Sequence, residues 1–132
     1  MNIVYQQESS FQLDEMLALY RASGINRPVD DSNRMAIMLA SSNLLLTARL
    51  DGKLLGLARC LTDKAYVVYI CDLLVAKAYQ QQGIGKALLA AVQQATGPQV
   101  QQLLRSAPSA MQYYPAVGFT VIDNAFHIQR QY

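Results

Sequence analysis

Tryptophan is absent from the 132 residues, histidine occurs once, cysteine twice, and charged residues make up only 15% of the chain. Each scarcity excludes something. Cys60 and Cys71 sit inside apolar segments and His127 stands alone near the end, so no metal-ligand set has useful spacing and no metal is expected. Buried, reduced thiols fit a cytoplasmic chain. No run of Lys and Arg occurs, and a net charge of +2 is too small for a nucleic-acid surface. Apolar stretches such as Leu44-Leu45-Leu46 and Leu73-Leu74-Val75 are far too short to span a bilayer, so no membrane partner is expected. Met1 to Gln6 has neither the basic nor the apolar region of a signal peptide. What is plentiful is hydrophobic residues, at 52%. They predict one well-packed domain over residues 1–132 rather than disorder.

Asn2 to Gln6 alternates as a first strand would. Phe11, Leu13, Met16, Leu17 and Tyr20 fall at helical spacing, which predicts a helix over 10–23 ended by Gly24. After Pro28, Asp31 or Ser32 can cap a second helix carrying Met35, Met38 and Leu39 on one side. Asp51-Gly52 between the apolar runs 44–50 and 54–61 is a hairpin signal. Asp63-Lys64 then turns the chain into a long strand over 66–75. A third helix is expected over 83–96, stopped by Gly97-Pro98, and a strand over 100–105. Ser109 can cap a short helix ending at Gly118, and strands at Phe119 to Val121 and Phe126 to Gln129 would close the chain. The order combines an antiparallel meander with one βαβ crossover. The fold class is therefore mixed α/β, a mostly antiparallel sheet flanked by helices.

The segment from Asp72 to Lys86 carries the chemistry. A strand ends, a polar turn follows, and Gly83 and Gly85 open an apolar helix. Backbone N–H groups there lack intrahelical partners, and the helix dipole adds partial positive charge. The expectation is a phosphate cradle that Lys86 can assist. A P-loop would need glycine where Gln80 stands and a hydroxyl where Ala87 stands. A dinucleotide fingerprint would need a small residue in place of Leu88 and an acid near Gln101-Gln102. On these residues alone, a turn that merely opens a helix remains the alternative.

Gln80-x-x-Gly83-x-Gly85, after Asp72-Leu73-x-Val75 and before Lys86-Ala87-Leu88-Leu89, resembles the acetyl-CoA signature of GNAT N-acetyltransferases. Downstream, Tyr113-Tyr114-Pro115-Ala116-Val117-Gly118-Phe119 is similar to the family's aromatic-Tyr-x-x-x-Gly-Phe segment. The resemblance implies a GNAT-like fold and transfer of an acetyl group from acetyl-CoA to a primary amine of a small molecule or protein. It implies that the backbone of Leu73, Leu74 and Val75 pairs with pantetheine, and that Gln81, Gln82, Gly83, Ile84, Gly85 and Lys86 hold the pyrophosphate. Tyr114 matches the tyrosine that protonates the departing thiolate, a role suited to a phenol with a pKa of about 10. The alternative for Tyr114 is a core aromatic. Similar proteins are commonly dimers, so a homodimer is a further expectation. The other functional class open to this fold is a non-catalytic acyl-CoA-binding or regulatory module.

The chain also departs from the family pattern. The usual cofactor-contacting Asn falls in Ser106-Ala107-Pro108-Ser109, and no Glu follows Glu15 to act as base. Asp72 is the carboxylate nearest the reacting end. It can accept the amine's proton, attract a cationic substrate, or serve as a structural carboxylate at a strand irregularity. In the loop Gly24 to Asp31, Asp30 and Asp31 would suit a cationic amine and Arg27 a substrate carboxylate. The alternative there is a capped helix start.

Overall fold

The computed structural model describes residues 1–132. Its strands are β1 (Ile3–Gln7), β2 (Leu44–Leu50), β3 (Lys53–Thr62), β4 (Val67–Val75) and β5 (Gln101–Leu104). Its helices are α1 (Leu13–Ser23), α2 (Ser32–Ala40), α3 (Ile84–Thr96) and the single turn α4 (Tyr113–Ala116). The five strands form one sheet in sequence order, antiparallel from β1 to β4, with β5 parallel to β4 through the α3 crossover. No helix is long and apolar enough to cross a membrane.

Local chemistry explains most boundaries. Asp31 caps α2 by accepting from the Arg34 N–H at 3.1 Å. Gly24 ends α1 in the left-handed conformation, with φ +78°, where a Cβ would be strained. α1 begins at Leu13, later than the periodicity of the sequence suggests, and Asp14 and Glu15 complement the dipole of its first turn.

Each face of the sheet has its own core. On one, Leu88, Leu89 and Val92 of α3 pack on Leu46, Ala58, Val68 and Ile70. On the other, Met16 and Tyr20 of α1 and Met35 and Leu39 of α2 pack on Leu45, Leu57 and Leu74. Truncating a fully buried leucine such as Leu88 to alanine would cost about 2–5 kcal/mol.

One irregularity matters for function. Arg59 of β3 faces Asp72 while Cys60 faces Ile70, so Cys71 is an extra residue in β4, a β-bulge. Before the bulge, Val68 and Ile70 belong to the α3 face; after it, Leu73 and Val75 do, and Leu74 joins the α1/α2 core. The extra residue shifts the alternation by one and turns Asp72 toward Tyr20.

The expected closing strands are a correction. Residues 119–132 adopt no strand, and Phe126 and Ile128 are almost wholly exposed. Their alternation is a local property, whereas a strand exists only when a neighbour takes its backbone hydrogen bonds. Here the tail runs past β5 without pairing, and the Tyr132 carbonyl oxygen accepts from Arg34 Nη2 at 3.3 Å. The helix expected to reach Gly118 is likewise reduced to a 3₁₀ turn at Pro108–Ala110 and α4.

Candidate active site

β4 outruns its parallel partner. The pairing ends at Ile70 with Leu104, yet β4 continues to Val75. β5 ends there, so Leu73, Leu74 and Val75 have no strand partner on that side. Gly85, at the start of α3, lies close to both Leu73 and Tyr113. A methyl group added at Gly85 would stand 2.9 Å from the Tyr113 hydroxyl and 3.8 Å from a Leu73 methyl. Glycine at 85 therefore leaves room for the Tyr113 hydroxyl, which a larger residue would displace.

The turn before α3 is shaped by its backbone. Gln81 and Gly83 are both left-handed, with φ +63° and +85°. Gln81 is costly in that conformation, the kind of local strain that accompanies functional turns. Nothing lies within 4 Å of the position a Gly83 Cβ would occupy, so the turn faces open space. The amides of Ile84, Gly85 and Lys86 open the helix and have no intrahelical acceptor. This is an anion-binding geometry whatever the side chains at 81 and 82 are. Gln80 serves elsewhere. Its amide donates to the Val75 carbonyl at 2.8 Å and to the Ser23 carbonyl at 3.3 Å, fastening the end of β4 to the end of α1.

Tyr114 is partly buried, its ring packed edge-on against Tyr113 at 5.2 Å and Phe119 at 5.7 Å. Burial, and then the neighbouring Tyr113, raise its phenol above the ordinary value, while the positive charge of Arg27 opposes them. A cavity of about 1090 Å³ runs along β5 and the tail and is lined by Lys86 and Tyr114 among others. Asp72, Leu73 and Gly83 do not line it, so this cavity joins only part of the expected site.

Asp72 lies in a closed cluster. One carboxylate oxygen accepts from Tyr20 Oη and Arg59 Nε, each at 2.6 Å, and the other from Arg27 Nε at 2.6 Å. Its side chain is inaccessible to solvent. Burial alone would raise the carboxyl, but Arg59, with Tyr20 and Arg27, outweighs burial and holds it below the ordinary value. The same burial, with the adjacent carboxylate, pushes the Tyr20 phenol up. Asp30 and Asp31 stand apart from this cluster: Asp31 caps α2, and Asp30 is fully exposed at 3.5 Å from Arg21.

Tyr20 and Arg59 carried no site role in the sequence, and Gln80 stood there only as the first residue of the glycine signature. A signal for Arg59 was present, since an arginine inside the apolar strand 54–61 must find a carboxylate. Tyr20 offered none beyond its place on the apolar stripe of α1.

The GNAT acetyltransferase domain model matches residues 19–129. No curated protein matches the chain. Among solved structures, a GNAT-family acetyltransferase from Streptococcus pneumoniae superposes with a TM-score of 0.75 at 24% identity, covering 98% of this chain and 100% of that one. A protein of unknown function from meticillin-resistant Staphylococcus aureus reaches 0.81 at 18% identity, covering 99% and 100%. Aminoglycoside N-acetyltransferase AAC(6')-Iy in complex with CoA reaches 0.74 at 18% identity, covering 98% and 95%. At such identities these likenesses speak for the fold. The domain match spans most of the sequence, and on that ground the chain belongs to the GNAT acetyltransferase family.

Proposed function

We propose that the protein is an acetyl-CoA-dependent N-acetyltransferase, a single domain over 1–132 that passes an acetyl group directly to a primary amine. The observation that carries this reading is the stretch of β4 left unpaired beyond Ile70, with the left-handed glycine turn opening α3 beside it and the tyrosine segment, through Tyr113, against Gly85. Acetyl-CoA fits that arrangement: open space over Gly83 admits a phosphate, and free amides at the start of α3 suit its charge. Gln81, Gln82, Gly83, Ile84, Gly85 and Lys86 would hold the pyrophosphate, and the backbone of Leu73, Leu74 and Val75 the pantetheine arm. When bound, the thioester supplies the acetyl group. Structures of similar fold include an aminoglycoside N-acetyltransferase with CoA and with a bisubstrate analogue, which supports CoA together with an amine.

In this reading Tyr114 is the general acid. As the amine nitrogen bonds to the carbonyl carbon and the carbon–sulfur bond breaks, the phenol gives its proton to the sulfur, the nitrogen sheds its surplus proton to solvent, and the phenolate takes one back from solvent. Burial keeps that phenol protonated at neutral pH. Asp72 is a poor base, because both its oxygens already accept hydrogen bonds and its carboxyl is held low. Its role is to position Arg27 and Arg59, and the amine loses its proton to solvent before the transfer.

The test is direct. Isothermal titration should show acetyl-CoA binding, and a free-thiol assay with a panel of primary amines should show amine-dependent release. Binding without release from any amine would instead support a non-catalytic module. No binding would overturn the proposal.

A further inference from the structure

We propose that Arg27 recognises an anionic group on the acceptor, so that the amine acetylated is that of an α-amino carboxylate rather than of a polycation. The inference rests on the acetyltransferase reading above.

It begins with charge. The cluster at the bulge contains one carboxylate, Asp72, and two guanidinium groups, Arg27 and Arg59. It therefore carries one positive charge in excess. Asp72 is sealed and Arg59 is nearly so, with 10% of its side chain exposed, whereas Arg27 has 31% exposed. The excess charge meets solvent at Arg27.

Donors follow the same division. Arg59 turns its Nη1 inward, to Ser42 Oγ at 3.1 Å and the Met38 carbonyl at 3.5 Å. Arg27 uses Nε for Asp72, one Nη1 proton for the Asn26 carbonyl and one Nη2 proton for the Cys71 carbonyl. A guanidinium has five N–H donors, so two on Arg27 remain for a ligand. Three fixed bonds hold the group still, and a held, half-buried guanidinium suits a carboxylate better than a mobile lysine would.

Position completes the argument. Arg27 grips β4 at Cys71 and Asp72, immediately before the Leu73–Val75 stretch, and its charge acts on the Tyr114 phenol. An acceptor anchored there is held at the β4 bulge, one residue before the stretch proposed to bind pantetheine. The acids that could have attracted a polycation face elsewhere, Asp31 into the α2 cap and Asp30 toward Arg21.

The experiment uses the intact chain with acetyl-CoA and a panel of proteinogenic α-amino acids, each run against its α-carboxamide, with spermidine as the polycation. The pairs share the amine and differ in the charge that Arg27 would read. The free acid should exceed its amide in kcat/KM by tenfold or more for the best pair, and spermidine should be poor. Arg27→Gln should bring that ratio close to one through KM, and Arg27→Lys should keep part of it. Titration of the best amino acid into CoA-saturated protein gives a readout independent of turnover. Equal use of acid and amide, a preference for spermidine, or an Arg27→Gln variant that lowers kcat for both partners alike would overturn the proposal. Should Arg27→Gln not fold, the acid-against-amide comparison on the unaltered chain decides. Acetyl-CoA binding without any carboxylate preference would remove this inference alone. Absence of acetyl-CoA binding would remove the function reading with it.

Discussion

The bulge in β4 and the turn before α3 are built in opposite ways. At the bulge, Tyr20, Arg27, Arg59 and Asp72 come from one helix, one loop and two strands, and three of them converge on the Asp72 carboxylate with bonds of 2.6 Å. At the turn before α3, the unpartnered groups are backbone amides, and the surroundings of Gly83 are open. The first is a network of side chains whose members depend on one another. The second depends on conformation, and glycine is its main side-chain requirement. Altering the first should cost stability; altering the second should cost affinity.

The largest effect should come from Asp72→Ala, which leaves two guanidinium groups facing each other without their carboxylate. Breaking a buried pair in this way costs about 3–5 kcal/mol, to be read from denaturant unfolding. A loss below about 1 kcal/mol would mean that the cluster is slack and the contrast false. Asp72→Asn sharpens the same point, since an acid limb in the pH profile of kcat/KM should persist in it. Disappearance of that limb would make Asp72 a base after all.

Tyr114→Phe comes next. It keeps the ring packed on Tyr113 and Phe119, so stability should barely change, while kcat falls by about 10²-fold. Steady-state kinetics with acetyl-CoA at saturation checks it, and a wild-type rate would leave Tyr114 as packing.

At the turn, Gly83→Val should weaken acetyl-CoA binding by about tenfold or more, because a side chain would occupy the approach to the amides. It also carries backbone strain of about 1–2 kcal/mol. Gly52 supplies the control: its φ is +83°, nothing lies within 4 Å of its missing Cβ, and it sits in the β2–β3 hairpin. Gly52→Val should destabilise similarly and leave affinity alone. Equal affinity loss in both would refute the cradle.

The smallest effect concerns a second charged cluster. Arg49 holds Glu8 at 2.8 Å and Glu15 at 2.8 Å, an excess of negative charge where the bulge cluster has positive. Arg49, chiefly, pulls the Glu8 carboxyl from 4.5 down to about 2. A depressed carboxyl stabilises the fold above its unfolded value and loses that contribution as pH falls from 4.5 toward 2. Melting temperature should fall across that window, and less steeply in Arg49→Gln. An identical slope in both would assign the acid loss to other groups.

The difference between the bulge and the turn also separates what could be read in advance. The turn was legible because its requirements are local: a strand end, two glycines, an apolar helix. The Asp51-Gly52 hairpin and the Asp31 cap were legible for the same reason. The Asp72 cluster was not. Val68, Ile70, Asp72 and Leu74 alternate along β4 and are all buried, yet the bulge at Cys71 puts Val68 and Ile70 in one core and Leu74 in the other. The closing strands failed in a similar way, since their alternation is real and their partner is missing.

By itself the sequence determined the mixed α/β order, the glycine turn opening α3 and the tyrosine that follows it, because hydrophobic period, capping and left-handed glycines act over a few residues. Only the tertiary structure decided that Asp72 turns inward, that Arg59 shares its carboxylate, and that Arg27 keeps two free donors at a partly exposed position. Those outcomes follow from one extra residue in β4, whose effect on which face a side chain takes exists only once β3 is paired beside it.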